Sequence, residues 1–395
     1  MSVGAGTDQI ASIAKAQSMG YAVLAVDGNP DAPGLTISDE SVVLDIRDED
    51  AVVSLARHHK VAATLPVPIG RFLTTQGAVN DCLGLQGVTR AAALNCTNKS
   101  MFHACLSKAG ITVPEQIVYE GVTDLRKAEG LDWPFPVVLK PIHGSGSQGV
   151  VVLPSVDDWT AIRNDLDASL YDQGGLVQSF VEGIVLGLDG AIQDGRAILT
   201  LAREKEMTPW PYRVELTHRA PANLPASAWE SITECLQIAL VALGVNGSVF
   251  HADAAWTAAG QLVLIELSAR PAGVMITSKL VPQCTGIDFL AEAIRLQLNG
   301  EGSFKASYLR PSLLHYWNYV SGIVKRTPTI RELHKMPGVV EAEIGLHAGQ
   351  HLQTPKSVHD LTGNGYLLLS ASHWSEVQAT FDEAKSLFEI EPLWK

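Results

Sequence analysis

Two spacings of apolar residues alternate along the first hundred residues. Helical spacing occurs at 8–19, where Ile10, Ile13 and Ala14 recur on one side, and again at 51–57. Short apolar runs typical of strands occur at 2–6, 21–26, 41–44 and 62–65. Repeats of strand, helix and strand predict a small parallel sheet at the start of the chain.

The pattern becomes richer in strands after a helix predicted at 97–109. We expect Thr97 to be the N-cap of that helix and Gly110 to end it. Two apolar strands, 137–140 and 150–153, then enclose a glycine-rich loop. Further strands are predicted at 176–181, 188–192, 197–202, 247–256 and 261–267, and further helices at 159–166, 229–243, 288–299 and 374–387. The middle of the chain is therefore expected to be a mixed α+β region.

Composition and charge narrow the class of protein. The chain has 395 residues, of which 46% are hydrophobic and 18% charged, and this mixture is typical of two or three globular domains. A net charge of −13 argues against nucleic acid and anionic membranes as partners. The five cysteines form no CxxC pair, and no uncharged apolar run has membrane length. We therefore expect a cytoplasmic protein with reduced thiols.

A lysine at the end of an apolar strand precedes the glycine-rich loop. Lys140 ends the strand, and the loop 143–149 follows. Gly144, Gly146 and Gly149 allow backbone N–H groups to turn toward an anion. The segment predicts a phosphate cradle, although it lacks the GxxxxGK[ST] order of a P-loop. A flexible hairpin loop with an exposed lysine is the alternative.

Two carboxylates lie in apolar strands further along the chain. Asp253 and Glu266 each occupy such a strand, where a lone carboxylate is costly to bury. If the strands pair through the turn at 258–260, the two acids fall close together on adjacent strands. Two oxygen ligands and a bound polyphosphate suit Mg²⁺, and Arg270 would supply a fixed positive charge. A structural salt bridge from either acid to Arg270 is the alternative.

The order of these motifs resembles the ATP-grasp enzymes over nearly the whole chain. The motifs are Asn98-Lys99, the strand ending at Lys140 with its loop, 176–183, 251–253 and 265–273. The resemblance implies a fold of the α/β and α+β class. Its expected domains are a Rossmann-like domain at 1–95, an ATP-grasp nucleotide-binding region at 96–300 with a lid at about 118–182, and a C-terminal subdomain at 301–395 that completes the fold.

The resemblance also implies roles for individual residues. Asp253 and Glu266 would bind Mg²⁺, with Mn²⁺ as an alternative, and Arg270 would orient the phosphate and the intermediate. Lys205 would reach the γ-phosphate of ATP, with Arg203 as the alternative. The implied nucleotide-binding residues are Lys99, Lys140, Gly144, Ser145, Gly146, Ser147, Gly149, Gln178, Phe180, Val181 and Glu182.

Two positions depart from the family pattern. Val185 occupies a region where many members have a glutamate that holds the ribose, so Glu182 is the nearest candidate for that contact. Ser268 stands where many members have an asparagine that is a third metal ligand. The spacing of Glu266, Arg270 and Gly273 is similar to that of L-amino acid ligases, which make dipeptides.

The expected function is therefore an ATP-dependent carboxylate–amine ligase that works through an acyl phosphate. Its partners would be small carboxylate and amine substrates, with amino acids favoured, and a homodimer is compatible with the sequence. Two alternatives remain, namely a carboxylase that activates bicarbonate and a nucleotide-binding module without catalysis. His251 either supports the metal or packs as a hydrogen-bonded histidine, and the loop 210–213 either lines an acceptor pocket or packs on the surface.

Overall fold

The computed structural model describes residues 1–120, 134–162, 166–318 and 321–392, which separate into two units. Unit 1 contains Met1–Val113, Gly187–Ala202 and Leu224–Ser307. Unit 2 contains Pro114–Leu186, Arg203–Asn223 and Tyr308–Lys395. Each unit is thus assembled from three separate stretches of the chain.

Strands and helices are distributed along both units. In chain order, the strands are β1 (Ser2–Val3), β2 (Leu24–Asp27), β3 (Glu40–Val43), β4 (Gln116–Tyr119), β5 (Val137–Pro141), β6 (Val151–Leu153), β7 (Gly175–Ser179), β8 (Ile184–Gln193), β9 (Arg196–Met207), β10 (Glu215–Ala220), β11 (Ser248–Trp256), β12 (Leu262–Ser268), β13 (Ser312–Tyr316), β14 (Gly322–Arg326), β15 (Val339–Ile344), β16 (His351–Leu352), β17 (Gly365–Ser370) and β18 (Glu389–Pro392). The helices are α1 (Ile10–Ser18), α2 (Pro33–Ile37), α3 (Glu49–His58), α4 (Leu73–Leu83), α5 (Arg90–Thr97), α6 (Lys99–Lys108), α7 (Val156–Ile162), α8 (Ala226–Leu243), α9 (Val281–Thr285), α10 (Phe289–Asn299), α11 (Ile330–His334), α12 (His359–Thr362) and α13 (Trp374–Ser386).

The start of unit 1 is the predicted parallel sheet. Strands β1, β2 and β3 pair in parallel in that order, with Val3 opposite Val26 and Val26 opposite Val42. The strand predicted at 62–65 is wrong. The segment does lie beside the start of the chain, since Met1 donates its amino group to the Ala63 carbonyl at 2.8 Å and Leu65 donates its N–H to the Met1 carbonyl at 2.7 Å, but these bonds do not extend into a strand.

The helix α6 begins one residue later than predicted. Asn98 is its N-cap, and the Asn98 side chain accepts a hydrogen bond from the Met101 N–H at 3.0 Å. The expected N-cap, Thr97, is instead the last residue of α5, where its hydroxyl donates to the Ala93 carbonyl at 2.9 Å. An Asx-type cap therefore displaces the threonine, since that hydroxyl is already bonded one turn back.

The remaining strands of unit 1 form an antiparallel surface. Strands β12, β11, β8 and β9 are neighbours in that order, and β8 and β9 enter this unit with the stretch Gly187–Ala202. The helix predicted at 288–299 is confirmed with both ends: Asp288 caps its N-terminus, and Gly300 ends it with a left-handed φ of 79°.

Unit 2 contains the predicted lid strands and a C-terminal sheet. Strands β4, β7, β5 and β6 form one antiparallel sheet, and β10, β13, β17 and β15 are neighbours in another. A third sheet has the order β16-β14-β18. Part of the predicted lid, 121–133, lies outside the described residues, as do residues 163–165 at the end of the helix expected at 159–166.

Two general expectations concern the thiols and the membrane. All five cysteines are free thiols, as the sequence predicts. Within the described ranges, no helix combines the length and the apolar character that crossing a membrane requires.

Candidate active site

Lys140 lies near the end of β5 in the lid sheet of unit 2. Strand β5 is central in this sheet, since it pairs with β6 on one side and with β7 on the other. The lysine is buried and lies opposite Leu176. A lysine stem packed in this way fixes the direction of its ammonium group. The expectation of a packed strand lysine is confirmed, and the alternative of an exposed lysine is wrong.

The glycine-rich loop after Lys140 has the left-handed backbone that its sequence predicts. Gly144, Gly146 and Gly149 have φ values of 157°, 64° and 70°, and Ser147 has a φ of 60°. Gly146 accepts a hydrogen bond at its carbonyl from the Val358 N–H at 3.0 Å. Successive residues in such conformations can direct backbone N–H groups into a concave anion site.

Two further carbonyl groups of this loop, those of Gly149 and Ser145, accept hydrogen bonds. The carbonyl of Gly149 accepts a hydrogen bond from the Tyr171 hydroxyl, and a Cβ added at Gly149 would lie 3.2 Å from Leu170 Cδ1 and 3.3 Å from Pro141 Cδ. The carbonyl of Ser145 accepts from the Gln148 N–H at 3.4 Å. The carbonyl groups of Gly146 and Gly149 thus bond the loop to two other segments of unit 2.

The predicted hinge follows the end of β7. Gln178 is buried, and its Nε2 donates to Gln116 Oε1 at 2.7 Å. Phe180 lies just beyond the strand and donates its N–H to the Pro136 carbonyl at 3.1 Å. Val181 is half-buried and Glu182 is exposed. The side chain of Gln178 and the N–H of Phe180 are therefore already used in holding the lid sheet.

The segment 210–213 packs against this hinge. It is a loop, as predicted, and Tyr212 forms an isolated bridge with Val151 of β6. The rings of Trp210 and Phe180 are 5.3 Å apart in an edge-to-face arrangement, and the Arg213 guanidinium lies 5.9 Å from the Phe180 ring centre. These aromatic contacts fix the loop beside the hinge. An acceptor-binding role for it stays a prediction.

Lys205 belongs to a buried ionic cluster on β9 and β10. Its Nζ lies 2.6 Å from Glu215 Oε1, and His218, its partner in the strand register, lies 3.4 Å from the other oxygen of Glu215. Arg203 Nη1 is 2.7 Å from His218 Nδ1. Because a guanidinium can only donate, Nδ1 of His218 accepts this bond, which leaves Nε2 as the protonated nitrogen of a neutral ring.

The sequence did not single out Glu215 and His218. Both lie in a short polar stretch, where ionisable residues are normally solvated and attract no notice. Their importance comes from the pairing of β10 with β9, which places His218 directly opposite Lys205. The sequence of a single strand does not show which residue of the neighbouring strand lies opposite each of its residues.

In unit 1 the two predicted acids are direct neighbours. Asp253 on β11 and Glu266 on β12 are partners in the antiparallel register, and His251 is the partner of Ser268. Since opposite residues and residues two apart share a face, these four side chains form a square on one face of the strand pair. Asp253 and Glu266 are half-buried, whereas Ser268 is buried. The predicted proximity of the two acids is confirmed.

His251 connects Asp253 to a further acid. Its Nε2 lies 3.0 Å from Asp253 Oδ1, and its Nδ1 lies 3.1 Å from Oδ1 of Asp189, a buried residue of β8. Burial lowers the pKa of His251, but the two carboxylates outweigh it and the pKa is raised. Asp189 was missed in the sequence, although a lone aspartate in the apolar run 186–192 carries the same signal as Asp253.

Two basic residues of unit 1 complete the predicted set. Lys99 is the first residue of α6 and is buried. Arg270 donates from Nη1 to the Pro271 carbonyl at 2.9 Å, while its buried Nε lacks a partner among the described residues. A buried donor of this kind can be satisfied by an anionic ligand. In the described ranges Arg270 forms no salt bridge with Asp253 or Glu266, so the structural alternative is wrong.

The donor set at Asp253 and Glu266 fits a magnesium ion that is shared with a substrate. Within the described part of the chain, no group of three or more His, Cys, Asp or Glu side chains could hold a metal by itself. Mg²⁺ is commonly bound by one or two carboxylates together with water and substrate phosphates. Two adjacent carboxylates therefore match the requirement, and a dedicated protein cage is not needed.

Comparisons with known proteins agree with this geometry. A family description, "ATP-grasp domain", matches residues 133–278. Over 141 residues the chain is 26% identical to a formate-dependent phosphoribosylglycinamide formyltransferase of Prochlorococcus marinus (strain MIT 9313), covering 35% of this chain and 36% of that protein. Over 237 residues it is 24% identical to a D-alanine--D-alanine ligase of Ectopseudomonas mendocina (strain ymp), covering 55% of this chain and 73% of that protein.

A comparison of whole folds extends the likeness. The crystal structure of an L-amino acid ligase from Bacillus licheniformis superposes with a TM-score of 0.81 at 19% identity, covering 100% of this chain and 98% of that one. The chain spans about a third of the length of the formyltransferase, so that alignment concerns the shared domain. Residues 133–278 thus match an ATP-grasp domain, and the chain has the ATP-grasp fold, as its motifs predict.

Proposed function

We propose that this chain is an ATP-dependent carboxylate–amine ligase that forms an amide or dipeptide bond through an acyl phosphate. The observation that carries the proposal is the in-register pair of Asp253 and Glu266, which lies within the ATP-grasp match. Two neighbouring carboxylates repel each other, and a divalent cation bound between them would relieve that repulsion. The likeness to an L-amino acid ligase and to a D-alanine--D-alanine ligase supports amide formation.

The buried lysines provide the phosphate contacts in this proposal. Lys140 and the loop 143–149 would hold the phosphates of ATP, and the family resemblance assigns a phosphate-binding role to Lys99 as well. Lys205 would face the γ-phosphate, and Glu215, at 2.6 Å, positions its ammonium group. Such fixed positive charge stabilises a transferring phosphoryl group better than mobile water does.

The proposed reaction has two steps. A carboxylate oxygen of the first substrate attacks the γ-phosphorus of ATP, the bond to the β,γ-bridging oxygen breaks, and ADP leaves. The nitrogen of the second substrate then attacks the acyl carbon, inorganic phosphate leaves, and the amine gives up a proton. Arg270 would stabilise the oxyanion of this second step through its guanidinium, whose Nε is buried without a partner among the described residues. Mg²⁺ held by Asp253 and Glu266 would neutralise phosphate charge.

The reaction type can be tested with purified protein, ATP, Mg²⁺ and pairs of L-amino acids. We expect ADP and phosphate to appear in equal amounts with an amide product, identified by mass spectrometry. Phosphate release that requires bicarbonate and yields a carboxylated product would indicate the carboxylase alternative. Nucleotide binding without ADP formation from any acid would contradict a ligase.

The metal assignment can be tested separately. Glu266→Gln keeps the shape of the side chain and removes its charge, so we expect kcat/KM to fall by about 100-fold or more, as when a group that stabilises transition-state charge is lost. Glu230→Gln, on an exposed position of α8, is the matched control and should keep wild-type activity. Full activity of Glu266→Gln would show that the metal assignment is wrong.

A further inference from the structure

Three adjacent strands of unit 1 present a continuous row of polar side chains. Asp189 comes from β8, His251 and Asp253 come from β11, and Glu266 comes from β12. The histidine ring joins the first and third of these, with nitrogen–oxygen distances of 3.1 and 3.0 Å. The row therefore runs from a fully buried carboxylate to the two half-exposed acids.

The burial of the Asp189 carboxylate costs free energy, so its negative charge is expected to have a role in the protein. A lone carboxylate among apolar strand residues is strongly unfavourable, and an apolar residue would fill the same place. Its bond to His251 Nδ1 fixes the plane and the direction of the imidazole ring. The ring in turn donates to Oδ1 of Asp253 and so restricts rotation about the last torsion of that side chain.

We propose that Asp189 and His251 are positioning residues that orient the carboxylate of Asp253 for binding a divalent metal. This inference rests on the proposed function, which makes Asp253 a metal ligand. A carboxylate oxygen has more than one lone-pair position, so Asp253 can accept the histidine bond and bind a metal at the same time. Outer partners of metal ligands act in this way, and their loss typically weakens metal affinity by about 10- to 100-fold.

The two nitrogens of His251 can be replaced one at a time. The amide nitrogen of glutamine reaches close to the position of Nε2, so His251→Gln retains the bond to Asp253 and loses the bond to Asp189. The amide nitrogen of asparagine reaches close to the position of Nδ1, so His251→Asn retains the bond to Asp189 and loses the bond to Asp253. A histidine that merely fills space would leave the Mn²⁺ affinity unchanged in both variants, whatever their stability.

The test is Mn²⁺ binding followed by electron paramagnetic resonance in the presence of saturating ADP, with protein integrity checked by circular dichroism. We expect His251→Asn to bind Mn²⁺ about 10- to 100-fold more weakly than the wild type. His251→Gln should stay within about threefold of it, since the bond to the ligand survives. His59→Asn, which removes a histidine paired with Glu40 at 2.9 Å elsewhere in unit 1, is the control and should bind normally.

Two results would overturn the proposal, and they differ from failure of the metal site itself. If His251→Asn binds Mn²⁺ as tightly as the wild type while Glu266→Gln does not, the positioning role is wrong and the metal site stands. If Glu266→Gln also binds normally, the metal assignment fails. Should His251→Asn not fold, His251→Leu, which keeps much of the bulk of the ring and removes both bonds, decides: unchanged Mn²⁺ affinity contradicts the proposal, and an affinity about 10-fold lower supports it.

Discussion

Lys205 and Lys15 form ion pairs of nearly equal length in very different surroundings. Lys205 Nζ lies 2.6 Å from Glu215, with 1% of the lysine side chain exposed. Lys15 Nζ lies 2.7 Å from Asp288, with 32% of its side chain exposed. Water screens the second pair and leaves little net stabilisation, whereas a buried charge that loses its partner is strongly unfavourable. We therefore expect burial, and not the nitrogen–oxygen distance, to decide how much each pair contributes to the free energy of unfolding.

This difference predicts the effect of two matched substitutions. Lys205→Met leaves the half-buried Glu215 without its cation, so we expect the free energy of unfolding to fall by about 3 kcal/mol. Lys15→Met removes an exposed partner and should change it by less than about 1 kcal/mol. Urea unfolding of both variants measures the two values. Equal losses would contradict the expectation that burial decides how much each ion pair contributes to stability.

The sequence revealed some residues of the candidate site and hid others for physical reasons. Asp253 and Glu266 stood out because a carboxylate in an apolar strand is costly to bury. Asp189 has the same character, but its partner His251 lies 62 positions away and only the neighbouring strand brings them together. Glu215 lies in a polar stretch, where a carboxylate is expected to be solvated, so the sequence did not mark it as a site residue. Its contact with Lys205 depends on the pairing of β10 with β9.

Among the elements, helix α10 shows what made a helix predictable, and helix α4 shows one reason why a helix was missed. Helix α10 has a capping aspartate, a terminal glycine and an apolar side, and its bounds follow from the sequence. Helix α4 was not predicted, because Thr75, Gln76 and Asn80 are buried in it together with apolar residues. When polar residues are buried as well, the hydrophobic period that marks a helix is lost.

The glycine-rich loop is an element whose conformation can be tested with one methyl group. Gly149 and Gly195 have φ values of 70° and 72°, so alanine carries a similar backbone strain, roughly 1 kcal/mol, at either position. A Cβ at Gly149 would lie 3.2 Å from Leu170, whereas one at Gly195 would meet nothing within 4 Å. We expect both variants to lose stability, and only Gly149→Ala to raise the KM for ATP.

Initial rates at varied ATP and urea unfolding of the same preparations separate the two effects. Gly195 is the matched control because it lies in the turn between β8 and β9, outside the loop. An unchanged KM for ATP in Gly149→Ala, with the expected loss of stability, would contradict the assignment of this loop to the nucleotide phosphates.

On the scale of the whole molecule, the order of motifs carried more information than the position of any boundary. Each unit is built from three separate stretches, and β8 and β9 each begin in one unit and end in the other. The domain ranges predicted from the sequence are contiguous and stay predictions. The ATP-grasp fold was nonetheless predictable, because its motifs follow one another along the chain in a fixed order. That order does not depend on where the chain passes from one unit to the other.

The stability of unit 2 should depend on pH through one buried histidine. His315 of β13 is buried against the rings of Trp317 and Phe381. Burial lowers the pKa of His315 to about 3, and the positive charges of Lys385 and Arg219 act in the same direction. In the unfolded chain a histidine has a pKa of about 6.5. Between these values the unfolded chain binds a proton that the folded chain does not.

The free energy of unfolding should therefore fall as the pH drops below about 6.5 and continue to fall toward pH 3. The slope from this single group approaches about 1.4 kcal/mol per pH unit. His315→Asn removes the titrating ring, and its amide can still meet the Thr217 hydroxyl, which lies 2.9 Å from His315 Nδ1. We expect that variant to be less stable at pH 7 but to lose less stability per pH unit on acidification.

Urea unfolding followed by tryptophan fluorescence at several values between pH 7 and pH 4.5 measures both slopes. His359→Asn, at an exposed position of α12, is the control and should keep the wild-type slope. Because other carboxylates and histidines titrate in the same range, the informative quantity is the difference between the slopes of wild type and His315→Asn. A difference near zero would mean that His315 becomes protonated in the folded protein, and that its burial does not exclude the charge.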